Sequence, residues 1–113
     1  MTMRDDHTRL LHIRDHLAEA VALIEGKTRS DIETDRLLNL SLVRLLEIAA
    51  QSADRVSDET KAAMPEIPWA DIAGLRDRLL HGYDTVDLDI LWHIVHDDLP
   101  PLVERIPTVA TDR

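Results

Sequence analysis

Residues 10–26 read LLHIRDHLAEAVALIEG. Leu10, Ile13, Leu17, Val21 and Ile24 recur at spacings of three and four, which draws one apolar stripe down a helix. Strand-like alternation is absent. Gly26 follows as a C-cap, so the first helix is predicted over 6–25. This stretch sets the fold class, because the same period returns downstream.

Ser30 and Asp31 are good helix caps. Behind them Ile32, Leu37, Leu38, Leu42, Leu45, Leu46, Ile48 and Ala49 form a broad apolar face. The spacing predicts one helix running to Val56, roughly 40 Å long at 1.5 Å per residue. A short helix is predicted over 58–64. Pro65 and Pro68 then enforce a loop, with Pro68 suited to the first turn of the next helix. That helix carries Ile72, Leu75, Leu79 and Leu80 and ends near Gly82, and 84–86 is read as a connection. Asp87 caps a helix with Leu88, Leu91, Trp92 and Val95, which Pro100 and Pro101 are expected to interrupt before a last turn or two over 102–106. Residues 107–113 read as a frayed end. The expectation is an all-α bundle of four or five helices in a single domain, 1–113.

Composition narrows the function classes. The 113 residues hold 22 acidic and 13 basic side chains, a formal charge of -9, which argues against a general nucleic-acid coat. Zero cysteines exclude a disulfide scaffold, a cysteine zinc site and a cysteine nucleophile. Three glycines leave no phosphate-cradling loop. The longest runs free of Asp, Glu, Lys and Arg are seven residues, 37–43 and 90–96, far short of the ~20 that span a bilayer. The first ten residues, with Arg4, Asp5, Asp6 and Arg9, do not read as a signal peptide, so a cytoplasmic protein is expected.

Three groups of residues could carry chemistry. Six histidines include His12 and His16 at i, i+4 and His93 and His96 at i, i+3, but no Glu-x-x-His of a di-metal bundle occurs. These read as helix-surface histidines, and no metal or cofactor is expected. Asp84, Asp87, Asp89, Asp97 and Asp98 lie within fifteen residues without a basic neighbour. They read as helix caps and a solvated face, ahead of a docking face for a basic partner. The third group is Arg76-Asp77-Arg78-Leu79-Leu80-His81-Gly82-Tyr83, flanked by Trp69 and Trp92, which with Tyr83 are all the aromatics of the chain. Arg76 and His81 lie about 140° apart on a helix and do not share a face. Asp77 and His81 do, so the carboxylate can orient the imidazole. A histidine can take the proton of a ribose 2′-hydroxyl, and an arginine can clamp the phosphate and stabilise its growing charge. An amphipathic helix with surface ion pairs and a C-terminal histidine explains the same spacing.

Beyond the motif, Ile67-Pro68-Trp69, Gly74-Leu75-Arg76-Asp77, His81-Gly82-Tyr83, Val86-Asp87-Leu88 and Asp98-Leu99-Pro100 together resemble HepT, the HEPN-domain toxin of a two-gene toxin–antitoxin system. Ile13-Arg14-Asp15-His16 and Arg44-Leu45-Leu46-Glu47-Ile48 extend the resemblance more loosely over nearly the whole chain. It implies an α-helical HEPN bundle that forms a homodimer, with two Arg-x4-His motifs facing each other across the interface. It implies metal-independent RNA cleavage with Arg76 and His81 catalytic. Asp77 then serves as the orienting group and Arg78 as a secondary RNA contact or a surface ion pair. Tyr83 matches the tyrosine that a MntA-like minimal nucleotidyltransferase antitoxin adenylylates. Two positions depart from the pattern. Asp77 stands where asparagine is frequent, and Ala50-Gln51-Ser52-Ala53 stands where relatives often read Gly-Glu-Ala-Ala, so Gln51 removes a carboxylate. The alternative function is a non-catalytic helical dimer that binds or regulates the nucleotidyltransferase.

Overall fold

The computed structural model describes residues 3–79 and 86–106, and it is helical throughout most of them. The stripe at 10–26 becomes α1 (Met3–Leu23), with Leu10, Ile13, Leu17 and Ile24 buried as expected. Val21 falls at the rim, and Ala20 takes the buried place beside Leu17. Gly26 adopts a φ of 75°, the left-handed conformation that an L side chain resists, so the chain can leave α1 there.

The single long helix expected over 30–56 is divided. α2 spans Arg29–Thr34 and α3 spans Arg36–Arg55. Asp35 is the cause: it sits at φ -102°, ψ 95°, and its carboxylate accepts from the Leu38 amide to start α3 afresh. Asn39 donates to the Ile32 carbonyl at 2.9 Å, which satisfies an acceptor that the break sets free. The N-cap of α2 is Thr28, ahead of both Ser30 and Asp31, and the Asp31 carboxylate accepts from the Thr28 amide at 2.7 Å.

α3 packs along α1, and its buried face holds Leu38, Leu42, Leu45, Leu46, Ala49 and Ala53. Each fully buried leucine or isoleucine here contributes about 1.5–3 kcal/mol of transfer free energy. Past Val56, Ser57 caps α4 (Asp58–Ala63), with Met64 outside the helix as its C-cap. Asp6, only 1% exposed, accepts from the Ser57 and Thr60 hydroxyls, each at 2.6 Å. That cluster fastens the start of α1 to the end of α3, so the two long helices run antiparallel.

The helix expected from Pro68 to Gly82 is also broken. α5 spans Trp69–Ala73 and α6 spans Leu75–Leu79, with Pro68 just before the first turn and Gly74 between the two. A Cβ at Gly74 would meet the Ala70 carbonyl oxygen at 3.2 Å, a tight contact that a larger residue would relieve only by a small shift of the bend. Trp69 is pinned by its indole N–H to the Met64 carbonyl at 3.0 Å. Asp87 caps α7 (Leu88–His93) as the sequence indicates, accepting from the Asp89 and Ile90 amides.

Pro100 and Pro101 do not interrupt the helix. A wide π turn over Ile94–Asp98 leads directly into α8 (Leu99–Arg105). The Leu99 amide reaches back five residues to the Ile94 carbonyl, and this shift of register places both prolines in the first turn of α8, where the missing N–H is tolerated. Joined across their bends, α2–α3, α5–α6 and α7–α8 act with α1 as the bodies of one bundle around a shared core.

Candidate functional site

The bend at Gly74 decides where the motif arginines point. α6 packs against both α3 and α7, and Arg76 and Arg78, two residues apart, project to opposite sides. Arg76 faces α3. Its Nε donates to Glu47 Oε2 at 3.2 Å, while Arg44 Nη1 lies 3.7 Å from Oε1 of the same carboxylate. Glu47 is 27% exposed, against 55% for Arg76, so the carboxylate forms the floor and the guanidinium the wall of an open groove. The groove has a volume of about 480 Å³, and Gln51, Asp54 and Asp77 line it as well.

Arg78 faces α7 and the π turn, where its Nη2 donates to Asp98 Oδ2 at 3.3 Å. It borders two other grooves, one with Pro68, Leu75 and Arg105 and one with Asp87, Ile90 and His93, and it does not line the one at Arg76. Arg78 thus stands in an exposed ion pair with Asp98. The Asp87 amide donates to the Leu79 carbonyl at 2.9 Å, which closes the base of the segment that carries the rest of the motif. His81 and Tyr83 themselves lie outside the described residues, as does Asp84.

The four described carboxylates of the acidic run each have a partner within the chain. Asp87 is a cap, Asp89 accepts from Arg29 Nε at 2.6 Å, and Asp98 takes Arg78. Asp97 lies 2.7 Å from His96 Nδ1 and 2.8 Å from His93 Nδ1. Hydrogen bonds from His96, then His93, hold the Asp97 carboxyl below its ordinary value. His96 also stacks on Trp92, with ring centroids 4.8 Å apart. On α1, His16 Nδ1 donates to the His12 carbonyl at 2.6 Å. Among the described residues no group of three His, Asp or Glu side chains could hold a metal ion.

Sequence reasoning assigned no role to Arg44 or Glu47, although both stood in the looser upstream match. A signal was present. Leu37, Leu40, Arg44, Glu47, Gln51 and Asp54 alternate spacings of three and four along α3, a second stripe opposite the buried one. It begins with two exposed leucines and continues into charges.

A family model described as HepT-like, ribonuclease HepT-like, matches residues 13–109. The chain belongs to the HepT-like ribonuclease family. Among relatives, "Probable ribonuclease HepT" of Thermococcus cleftensis is 37% identical over 92 residues, 78% of this chain and 84% of the relative. A Caldanaerobacter subterraneus subsp. tengcongensis protein named as a candidate RNase is 27% identical over 107 residues, 95% of this chain and 96% of its own. A Methanocaldococcus jannaschii protein named as a gamma-glutamylcyclotransferase and candidate RNase is 33% identical over 96 residues, which cover 81% of this chain but only 43% of that longer protein. No solved structure matches. The HepT-like family accounts for the all-α fold. Among the described residues, no helix is long and apolar enough to cross a membrane.

Proposed function

We propose that this chain is a single HEPN-type domain that cleaves RNA without a metal, working as a homodimer, and that it is the toxin of a toxin–antitoxin pair. One observation carries the reading within the family: Arg76 stands half-exposed on an open groove and meets Glu47 through Nε, a contact that leaves its two terminal nitrogens uncommitted to that carboxylate. Such a fork suits a phosphate. In the reaction, His81 takes the proton of a 2′-hydroxyl and O2′ attacks phosphorus. Arg76 stabilises the charge on the non-bridging oxygens. The P–O5′ bond breaks, the 5′-oxygen takes the proton that the His81 imidazolium now carries, and a 2′,3′-cyclic phosphate remains. Asp77, on the rim of the Arg76 groove, orients His81.

The dimer is supported by the apolar end of the α3 stripe. Leu37 is 78% exposed and Leu40 48%. They line a groove of about 420 Å³ with Leu23 and Leu45, and Arg44 borders both this groove and the one at Arg76. A second copy seated there brings two motif arginines toward one RNA. It also answers the charge of -9, since a local pair of guanidinium clusters does what the net charge does not.

Purified dimer is expected to cut RNA in EDTA, and His81→Ala to abolish cutting; cleavage that persists in the variant contradicts the role of His81. Activity falls as pH drops below the histidine range, about 6.5 unperturbed, because the base must be neutral. A profile that is flat from pH 5 to 8 contradicts a histidine base. The partner is a MntA-like nucleotidyltransferase that adenylylates Tyr83, placing bulk and negative charge where RNA must approach. Intact mass after co-expression reads the added AMP, and Tyr83→Phe removes it. The second reading, a dimer that regulates this partner without cutting RNA, predicts no growth arrest when the chain is expressed alone.

A further inference from the structure

We propose that Glu47 is a positioning residue for Arg76 and that Arg44 is a second phosphate-binding residue, so that the RNA backbone crosses the groove between α3 and α6. The inference rests on the ribonuclease reading and adds two residues to it.

Glu47 takes both arginines on one carboxylate, Arg76 on Oε2 and Arg44 on Oε1. It is the least exposed of the three and comes from the middle of α3, a 20-residue helix whose inner face is buried in the core. Arg76 comes from a helix of five residues. The rigid element therefore fixes the side chain of the short one. A guanidinium held by Nε cannot rotate its plane freely, and its two terminal nitrogens keep one direction. Without that hold, Arg76 is a long flexible cation that loses rotamer freedom each time phosphate binds.

Arg44 shares the carboxylate at a longer distance, 3.7 Å against 3.2 Å, and is 65% exposed. It has donors to spare. Two guanidiniums converge on one carboxylate, which leaves a local excess of one positive charge where Asp54 and Asp77 otherwise make the groove acidic. Phosphate is thus accepted at the two guanidiniums, in a groove whose other charged lining, Asp54 and Asp77, repels it. Glu47 also bears on the departure at Gln51. One helical turn earlier on the same stripe, it supplies the groove with a carboxylate.

The full-length dimer carries the test, with cleavable RNA for rates and fully 2′-O-methylated RNA for binding across a salt series. Arg44→Ala is expected to raise KM about five- to tenfold with kcat within twofold, and to lower the salt slope of binding by about one per site. Glu47→Ala is expected to lower kcat about tenfold or more with KM near wild type, and Glu47→Gln, whose amide oxygen can still accept from Nε, to restore most of it. The Arg76 Nε–Hε cross-peak in a nitrogen–proton spectrum is slowly exchanging in wild type and lost in Glu47→Ala. Arg105→Ala, on another groove, leaves all of these unchanged. The inference is overturned if Arg44→Ala keeps the wild-type KM and salt slope, or if Glu47→Ala keeps kcat and the cross-peak. Wild-type protein that binds the methylated RNA through Arg44 but cuts nothing fails the ribonuclease reading and supports the groove.

Discussion

Two polar clusters hang on α3, and they differ in what they leave unsatisfied. At its C-terminal end, Asp6 is buried with the Ser57 and Thr60 hydroxyls at 2.6 Å and the Ser57 amide at 3.3 Å, and Arg9 lies 3.9 Å away. Along its middle, Glu47 pairs with Arg76 through Nε and with Arg44 through Nη1, and both arginine side chains stay more than half exposed, at 55% and 65%. The closed cluster spends the Ser57 and Thr60 hydroxyls on a buried carboxylate and serves the fold. The open one has donors in a fixed place and suits an anion. The comparison teaches that a charged side chain is read by its unspent hydrogen-bonding capacity and not by its charge alone.

The comparison can be broken by substitution on each side. The largest effect is expected from Arg76→Ala, which lowers the cleavage rate about 10²–10³-fold, the usual consequence of losing a group that stabilises transition-state charge. Its thermal unfolding stays at the wild-type midpoint. Asp6→Ala reverses the pattern: stability falls by about 1–3 kcal/mol, since two hydroxyls lose their buried acceptor, while cleavage per folded molecule is kept. Denaturant titration beside an RNA assay reads both, and a variant that changes both quantities blurs the distinction.

Acid sharpens it further. Burial alone would raise the Asp6 carboxyl, but bonds from Ser57 and Thr60 and the nearby Arg9 outweigh burial and hold it below its ordinary 3.8. The folded value lies under the unfolded one, so the stabilisation is complete above about pH 4 and is lost as pH falls through the folded value. Stability measured from pH 5 down to 2 should decline, and Asp6→Asn should flatten that decline. The smallest effect is expected from Arg78→Ala. Its pair with Asp98 is solvent-exposed, so stability changes by about 0.5 kcal/mol or less and cleavage stays within about threefold. A loss comparable to that of Arg76→Ala would place Arg78 on the RNA path.

Helical period made the long elements legible. The stripe from Leu10 to Ile24 is buried apart from Val21 at its rim, and of the face expected over 32–49 all are buried but Ile48, which is half-buried, and Leu37, which is 78% exposed because it falls on the outer stripe of α3. The breaks were not legible. Asp35, Gly74 and the π turn at Ile94–Asp98 each sit inside apolar periodicity that continues across them, and the helices divide at a side-chain cap, a glycine C-cap and a shift of register. Pro100 and Pro101 misled for the same reason, since their effect depends on the register in which they arrive. Of the site, Arg76 was legible because its motif is local in sequence. Glu47 lies 29 residues away on another helix, and only packing brings the two together.

The central claim is that Arg76 and His81 drive attack by a 2′-hydroxyl on the adjoining phosphate. The most direct measurement is the mass of the RNA fragments released by the wild-type dimer in EDTA. Fragments ending in a 2′,3′-cyclic phosphate, with 5′-hydroxyl ends opposite, are the predicted result. Fragments ending in a free 3′-hydroxyl with 5′-phosphates, or RNA left whole, would contradict it.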